Sequence, residues 1–439
     1  MEENIFLISF FKELNEQKIK YAVLRNYQDL PKSTNGSDID IYIKENDFIN
    51  FHKILNITTE KYGGKIISIL EATNVKDVVT IGFYNDEWWG VRFDTFTFVG
   101  TNDCKIFTNG YINNKIELYN GVKVLNYKDS ILVAFVKDII GANKYNKRYS
   151  EKAKEIFKEN FENYRLEFLK VMTEKSFEKY LCPLLFDKIS FTKQTAQKIH
   201  QGFNYKQNLI GLSNFIKHYY YKFKRIIHTP GVSIAMMGVD GAGKTTIFKE
   251  IKPILEEALH NKIIYSHMRP NLIPNIAQLF GKPTMDSVVE NPHEHKSSGV
   301  ILSLLRILYY SFDYIFGYWI LVHFLLAKKT TVWIFDRYFY DYYIDAKRGR
   351  IGLPKGIIRF IGRFIPKPNI ILCFGADAEK IFKRKPELNL YEIKRQVKEL
   401  KEFSSKQPNS IWIDTGGEIL KTKNEALFFI MNKMAERYY

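Results

Sequence analysis

Cysteine is scarce: Cys104, Cys182 and Cys373 are the only three in 439 residues, and they stand far apart. They form no C-x-x-C pair and no metal-spaced cluster, which argues against a disulfide framework or a structural zinc site and fits a reducing, cytoplasmic setting. No uncharged apolar run reaches the ~20 residues that a helix needs to cross a bilayer, so no transmembrane span is expected. The most apolar region, Val300 to Ala327, is broken by Arg306 and Asp313 and reads as a buried helix. The start, Met-Glu-Glu, lacks a basic segment before its first apolar stretch and does not read as a secretory signal. There is no internal repeat and no low-complexity tract. What is there is globular: 46% hydrophobic and 26% charged residues exclude a disordered or collagen-like chain.

Basic residues are in excess, with a formal net charge of +17. Through residue 150 the chain carries 19 basic and 19 acidic residues, so the whole excess, 46 against 29, lies downstream. Such a surface attracts polyphosphates, anionic lipid or nucleic acid, and sign alone does not separate them.

Organisation follows from periodicity and punctuation. Ile5 to Gln17 has helical spacing, and Tyr21 to Leu24 reads as a strand. Ser37 to Ile43 alternates Ile39, Ile41 and Ile43 against Asp38, Asp40 and Tyr42, the period of a strand with one buried face. Lys65 to Leu70, Asp77 to Phe83 and Gly90 to Phe98 continue the pattern, so residues 1–130 predict a compact α/β unit. Residues 131–228 read as a helical extension and connector, charge-laced and then basic and aromatic near His218 to Arg225, with no clear amphipathic stripe for a membrane. Thr229-Pro230-Gly231 marks the next boundary, and residues 229–439 predict a second α/β domain.

That second domain opens on an apolar strand, Val232 to Met237, followed by Gly238-Val239-Asp240-Gly241-Ala242-Gly243-Lys244-Thr245-Thr246 and helical pattern from Ile247. This is a P-loop. Its glycines let backbone amides close around a phosphate at a helix N-terminus, Lys244 reaches the β and γ phosphates, and Thr245 offers a hydroxyl to Mg²⁺. The ATP-binding set is therefore Gly238, Gly241, Ala242, Gly243, Lys244, Thr245 and Thr246. A second apolar strand, Thr331 to Phe335, ends in Asp336-Arg337-Tyr338, where the acid can position a metal or its water and the arginine can grip a phosphoryl group.

With these residues in view, Val232 to the C-terminus resembles the thymidylate-kinase-like family of P-loop kinases. The resemblance rests on the P-loop with Asp240 inside it, on Asp336-Arg337-Tyr338, and on Lys383-Arg384-Lys385-Pro386-Glu387 placed like that family's lid. It implies a parallel sheet flanked by helices, ATP and Mg²⁺ as cofactors, an acceptor held by Arg337 and faced by Asp240, and Arg384 closing on the transferred group. Where true thymidylate kinases continue with a Ser and an Ala-Tyr pair, this chain has Asp341, Ile344 and Asp345. Ser266-His267-Met268-Arg269-Pro270 and Asn291-Pro292-His293-Glu294-His295 look like relatives found beside surface-polysaccharide genes. They favour a sugar-like acceptor, bound in part by Arg269, over thymidine monophosphate. His293 and His295 lack a third ligand of suitable spacing for zinc.

In the first unit Asp38 and Asp40 lie two apart, with Asp94 on a later strand. Carboxylates converging on one sheet face repel unless a cation neutralises them, which suggests a Mg²⁺ site. Gly36-Ser37-Asp38-Ile39-Asp40-Ile41 plus Asp94 resembles the nucleotidyltransferase superfamily that includes polymerase β, implying a mixed sheet. The family's upstream Gly-Ser turn is replaced by Leu24-Arg25-Asn26, so Arg25 and Asn26 are candidate donors, and Lys137, Lys144 and Arg148 candidate contacts for a triphosphate. The combined expectation is a bifunctional transferase acting on a small-molecule acceptor and a nucleotide, with a homodimer compatible. The alternatives are a thymidylate kinase with an inactive regulatory module, and a nucleic-acid-binding or nucleotide-sensing protein.

Overall fold

The computed structural model describes residues 2–438 apart from 74, 102–103, 208–211, 262 and 277–297, and, of 212–215, the backbone alone. The segment Asn291 to His295 lies outside the described residues. The chain divides into two compact units, Met1–Arg225 and Ile226–Tyr439.

The first unit is built on a seven-stranded mixed sheet. Its strands are β1 (Tyr21–Val23), β2 (Ile39–Ile43), β3 (Gly64–Glu71), β4 (Val75–Tyr84), β5 (Glu87–Phe96), β6 (Ile116–Tyr119) and β7 (Val122–Leu125). They lie in the order β3-β4-β5-β2-β1-β7-β6. Alternation in β2 predicts one buried face, yet all five of its residues are buried. The reason is that the sheet is covered on both sides. Ile39, Ile41 and Ile43 pack with Phe6, Phe10, Phe51 and Leu55 of helices Glu2–Glu16 and Phe48–Lys61. Tyr42 and Phe96 instead share a core with Phe135, Phe157, Phe168 and Phe203. The helices of the expected extension thus complete the sheet's second face. The first of them, Tyr127–Ala142, is started by Asn126, whose side chain accepts from the Asp129 amide at an otherwise unpaired helix end.

The second unit has a five-stranded, all-parallel sheet: β8 (Val232–Gly238), β9 (Ile264–His267), β10 (Val332–Asp336), β11 (Ile370–Gly375) and β12 (Ser410–Asp414) in the order β12-β11-β8-β10-β9. Parallel strands are shielded by crossover helices, which is why β8, but for Ser233, and β11 read as apolar runs and are buried throughout. β8 is central, and the chain reverses its direction of strand addition around it, so a crevice opens at its C-terminal end.

The reading of Val300 to Ala327 as a buried helix requires correction. Residues Val300–Lys328 form one 29-residue helix, long and apolar enough by length and composition to cross a membrane, but only a third of its most apolar window is buried. One stripe, with Ile307, Tyr314, Val322 and Leu326, enters the core; the opposite stripe is exposed. Hydrophobicity on every side concealed which side was inside.

Candidate functional site

β8 ends at Gly238 and the helix Lys244–Leu259 begins six residues later, so the intervening loop must turn tightly. Gly241 (φ +81°) and Gly243 (φ +79°) supply the left-handed geometry that a side chain would resist. A β-carbon at Gly238 would come within 2.8 Å of the Phe374 carbonyl oxygen. The loop borders a cleft of ≈ 510 Å³ whose lining brings together Lys244, Thr245, Asp336, Arg337 and Arg384 with Asp240. The residues expected in this unit therefore converge, except that Arg269 and Gly238 are not among the lining, Gly238 standing at the strand end just before the loop.

Lys244 is buried, and its Nζ donates to the carbonyls of Gly238 (2.9 Å) and Val239 (3.3 Å). Burial, aided by the nearby Arg337 charge, lowers its pKa to about 7. Asp336 receives a hydrogen bond from the Tyr265 hydroxyl on Oδ2 at 2.6 Å. Burial alone would raise its pKa, but hydrogen bonding to His267 and Tyr265 and the Lys244 charge hold it well below the usual carboxylate range. Its other oxygen, Oδ1, is buried with no hydrogen-bond partner. A buried orphan acceptor on an ionised carboxylate is an incomplete coordination shell, and Thr245 lines the same cleft. These residues fit a Mg-nucleotide: the loop amides and Lys244 for its phosphates, Thr245 and Asp336 for its metal or metal-bound water.

Arg337 sits at φ +69°, an unfavoured backbone for a side chain, and its amide donates to the Met236 carbonyl at 2.9 Å. Its buried guanidinium spans two carboxylates, Asp341 (2.8 Å) and Asp240 (2.6 Å). Burial opposes that charge, but Asp341 and Asp336 raise its pKa above the ordinary value. Arg348 also pairs with Asp240 and approaches Asp345 at 3.9 Å. Sequence reasoning missed Arg348; the only signal was its place three residues after Asp345 in a basic run. Asp341 and Asp345, which replace the thymidylate kinase pattern, are buried beside the two arginines they hold. Arg384 donates to the Thr415 carbonyl at 2.9 Å. Arg269, expected at the acceptor, is instead buried against Asp313 at 2.7 Å, paired also with Asn275 and stacked over Tyr310. It is not among the residues lining the cleft.

The first unit's carboxylates are brought together differently. Strand register aligns Asp40 with Asp94 and Asp94 with Asp77 across β2, β5 and β4, and Asp38 precedes β2. Asp77 was not anticipated because only register reveals it. Arg92 occupies the middle: it holds Asp77 through two hydrogen bonds (3.1 and 2.6 Å) and lies 3.4 Å from Asp94 and 3.7 Å from Asp38. Asp40 pairs with Arg25 and, at 3.5 Å, with Lys137. Burial raises Asp77 to about 7, with the Asp94 charge adding and Arg92 opposing, and it raises Asp94 to about 6, with Arg92 opposing and the Asp40 and Asp38 charges adding. Among the described residues no group of three His, Cys, Asp or Glu is placed to hold a metal ion. As arranged, these residues do not fit a divalent cation, because arginine and lysine already fill that electrostatic role. The adjoining cavity, between Arg25, Asp40, Ser130 and Lys137, measures ≈ 10 Å³, room for about one water. Asn26 (φ +54°) and the exposed Lys144 and Arg148 are not among its lining.

A parallel sheet whose central strand feeds a glycine loop and a helix N-terminus, with an acid ending the neighbouring strand, defines a P-loop unit of kinase-like fold. No family model matches the chain, and no curated protein does. Among solved structures it is similar to the crystal structure of thymidylate kinase from Ehrlichia chaffeensis, at 17% identity and a TM-score of 0.31, covering 45% of this chain and 98% of that one.

Proposed function

We propose that the second unit transfers the terminal phosphoryl group of ATP to a small hydroxylated acceptor. The observation that carries this is the convergence of Lys244, Arg337, Arg348 and Arg384 on an open cleft beside Asp336. A bound Mg²⁺ would neutralise phosphate charge. The chain's own contribution is positional: loop amides and Lys244 fix the nucleotide, Arg337 orients the group in flight, and Arg384 stands at the cleft wall to approach it. Asp240, held by two arginines, offers an acceptor hydroxyl a carboxylate oxygen.

The acceptor we favour is sugar-like, in the setting of surface-polysaccharide precursors that the sequence resemblance suggests. The support is Asp240, whose carboxylate lines the cleft and suits a hydroxyl better than a second phosphate, with Asp341 and Asp345 buried behind it against Arg337 and Arg348. For the first unit, Arg92 within the acidic cluster favours a role without nucleotidyl transfer, as a regulatory module.

One assay tests both readings: ADP release from Mg-ATP across a panel of sugars, polyols and nucleoside monophosphates. Sugars should stimulate release and thymidine monophosphate should not; the reverse would replace the acceptor while keeping the kinase, and silence across the panel would remove the kinase. In the same assay Asp40→Ala and Asp94→Ala should leave turnover unchanged.

A further inference from the structure

We propose that the outer face of the helix Val300–Lys328, with the neighbouring helix Lys355–Gly362, docks the protein on an anionic bilayer surface. The long helix runs about 40 Å, and its outward stripe is apolar from end to end: Ile301, Leu305, Leu308, Phe312, Phe316 and Trp319, each 47–78% exposed. Six half-exposed side chains of this size leave on the order of 600 Å² of apolar surface, at or above the largest patch of an ordinary monomer. The second helix, which packs against the first, adds exposed Phe360, and Phe364 follows it.

Charge decides the occupant. From Ser298 to Phe335 the only carboxylate is Asp313, and from Ala346 to Ala376 there is none. Asp313 is fully buried, accepting from Arg269 and the amides of Asn271, Leu272 and Ile273. Arg359, Arg363 and Lys367 are exposed, with no carboxylate partner among the described residues. Lys328 and Lys329 add positive charge at the end of the long helix. In a two-fold pairing of this face with a second copy, neither helix would offer these cations an exposed acid. Lipid phosphates meet them directly, while the aromatic rings enter the acyl boundary.

The helix lies on a membrane rather than across it. Its inner stripe, with Tyr314 fully buried against Tyr338 and Phe339, belongs to the core of the second unit and cannot leave it without exposing that core. Length and composition alone do not separate the two placements; packing does.

Flotation of the full-length protein with vesicles tests the proposal. The protein should float with phosphatidylcholine–phosphatidylglycerol vesicles and only weakly with phosphatidylcholine alone. Arg359→Ala/Arg363→Ala/Lys367→Ala should cut affinity for the anionic vesicles by roughly a hundredfold, at about a factor of five per charge. Phe316→Ser/Trp319→Ser should cut it by roughly tenfold or more, with cooperative thermal unfolding retained because neither side chain is part of the core. Absence of flotation with either vesicle overturns the proposal, as does flotation that neither variant diminishes. Sedimentation showing a concentration-dependent dimer that Phe316→Ser/Trp319→Ser dissolves would also overturn it, by assigning the face to a second copy.

Discussion

The two units hold similar ionic inventories and put them to opposite ends. In the first, Asp38, Asp40, Asp77 and Asp94 each meet Arg25, Arg92 or Lys137, and the cavity beside Asp40 measures ≈ 10 Å³. In the second, Asp240 and Asp336 stand with Lys244, Arg337, Arg348, Arg384 and Lys385 around ≈ 510 Å³, with Asp341 and Asp345 buried behind Arg337 and Arg348. The difference is surplus cation and space. Where every carboxylate is met by a cation within the fold, the cluster is a closed structural element. Where cations exceed them and the backbone leaves a gap, the surplus is directed at something outside the chain.

The sharpest way to break this comparison is Lys244→Ala. If its charge serves a ligand rather than the fold, ADP-forming turnover should fall by roughly a thousandfold while the melting temperature holds or rises, since a buried ammonium has been removed. Retained turnover would put the second cluster in the same class as the first.

Arg92→Ala is the mirror experiment. Removing the cation from among Asp77, Asp94 and Asp38 should cost about 3 kcal/mol in denaturant unfolding, because buried carboxylates are left uncompensated. Added Mn²⁺ should restore part of that loss in the variant and do nothing for the unaltered protein. Stabilisation of the unaltered protein by Mn²⁺ would reopen the first unit as a metal site.

The smallest effect is in pH. Lys244 is held at about 7 by its burial, and a polyanion bound beside it must raise that value, so binding takes up a proton at any pH between the free and the bound pKa. Nucleotide affinity should be flat below about pH 7 and fall by up to tenfold for each unit above it, until the bound-state pKa is passed. Calorimetry in buffers of different ionisation enthalpy reads the proton directly. Pure affinity loss without proton uptake would show that Lys244 is not the group engaged.

What was legible in the sequence was what the backbone itself encodes. Gly238 to Thr246 is recognisable because the turn demands glycine at Gly241 and Gly243 and the strand and helix flank it at fixed spacing. The strand period of β2 likewise exposed Asp38 and Asp40. Partnership was not legible. Asp77 meets Asp94 only through antiparallel register, and Arg92 could as well have pointed to solvent. Arg348 reaches Asp240 across 108 residues, and Arg269 turns to Asp313 across 44. Nor does a uniformly apolar stretch declare which stripe meets the core, which is why Val300 to Ala327 was read as inside.

The contacts of Lys244 with the carbonyls of Gly238 and Val239 engage two of its three ammonium hydrogens and leave the third for a ligand oxygen. A phosphate can therefore be met without first breaking the contacts that aim the lysine. The loop holds its own cation in place, so a polyanion gains that preorganisation rather than having to impose it.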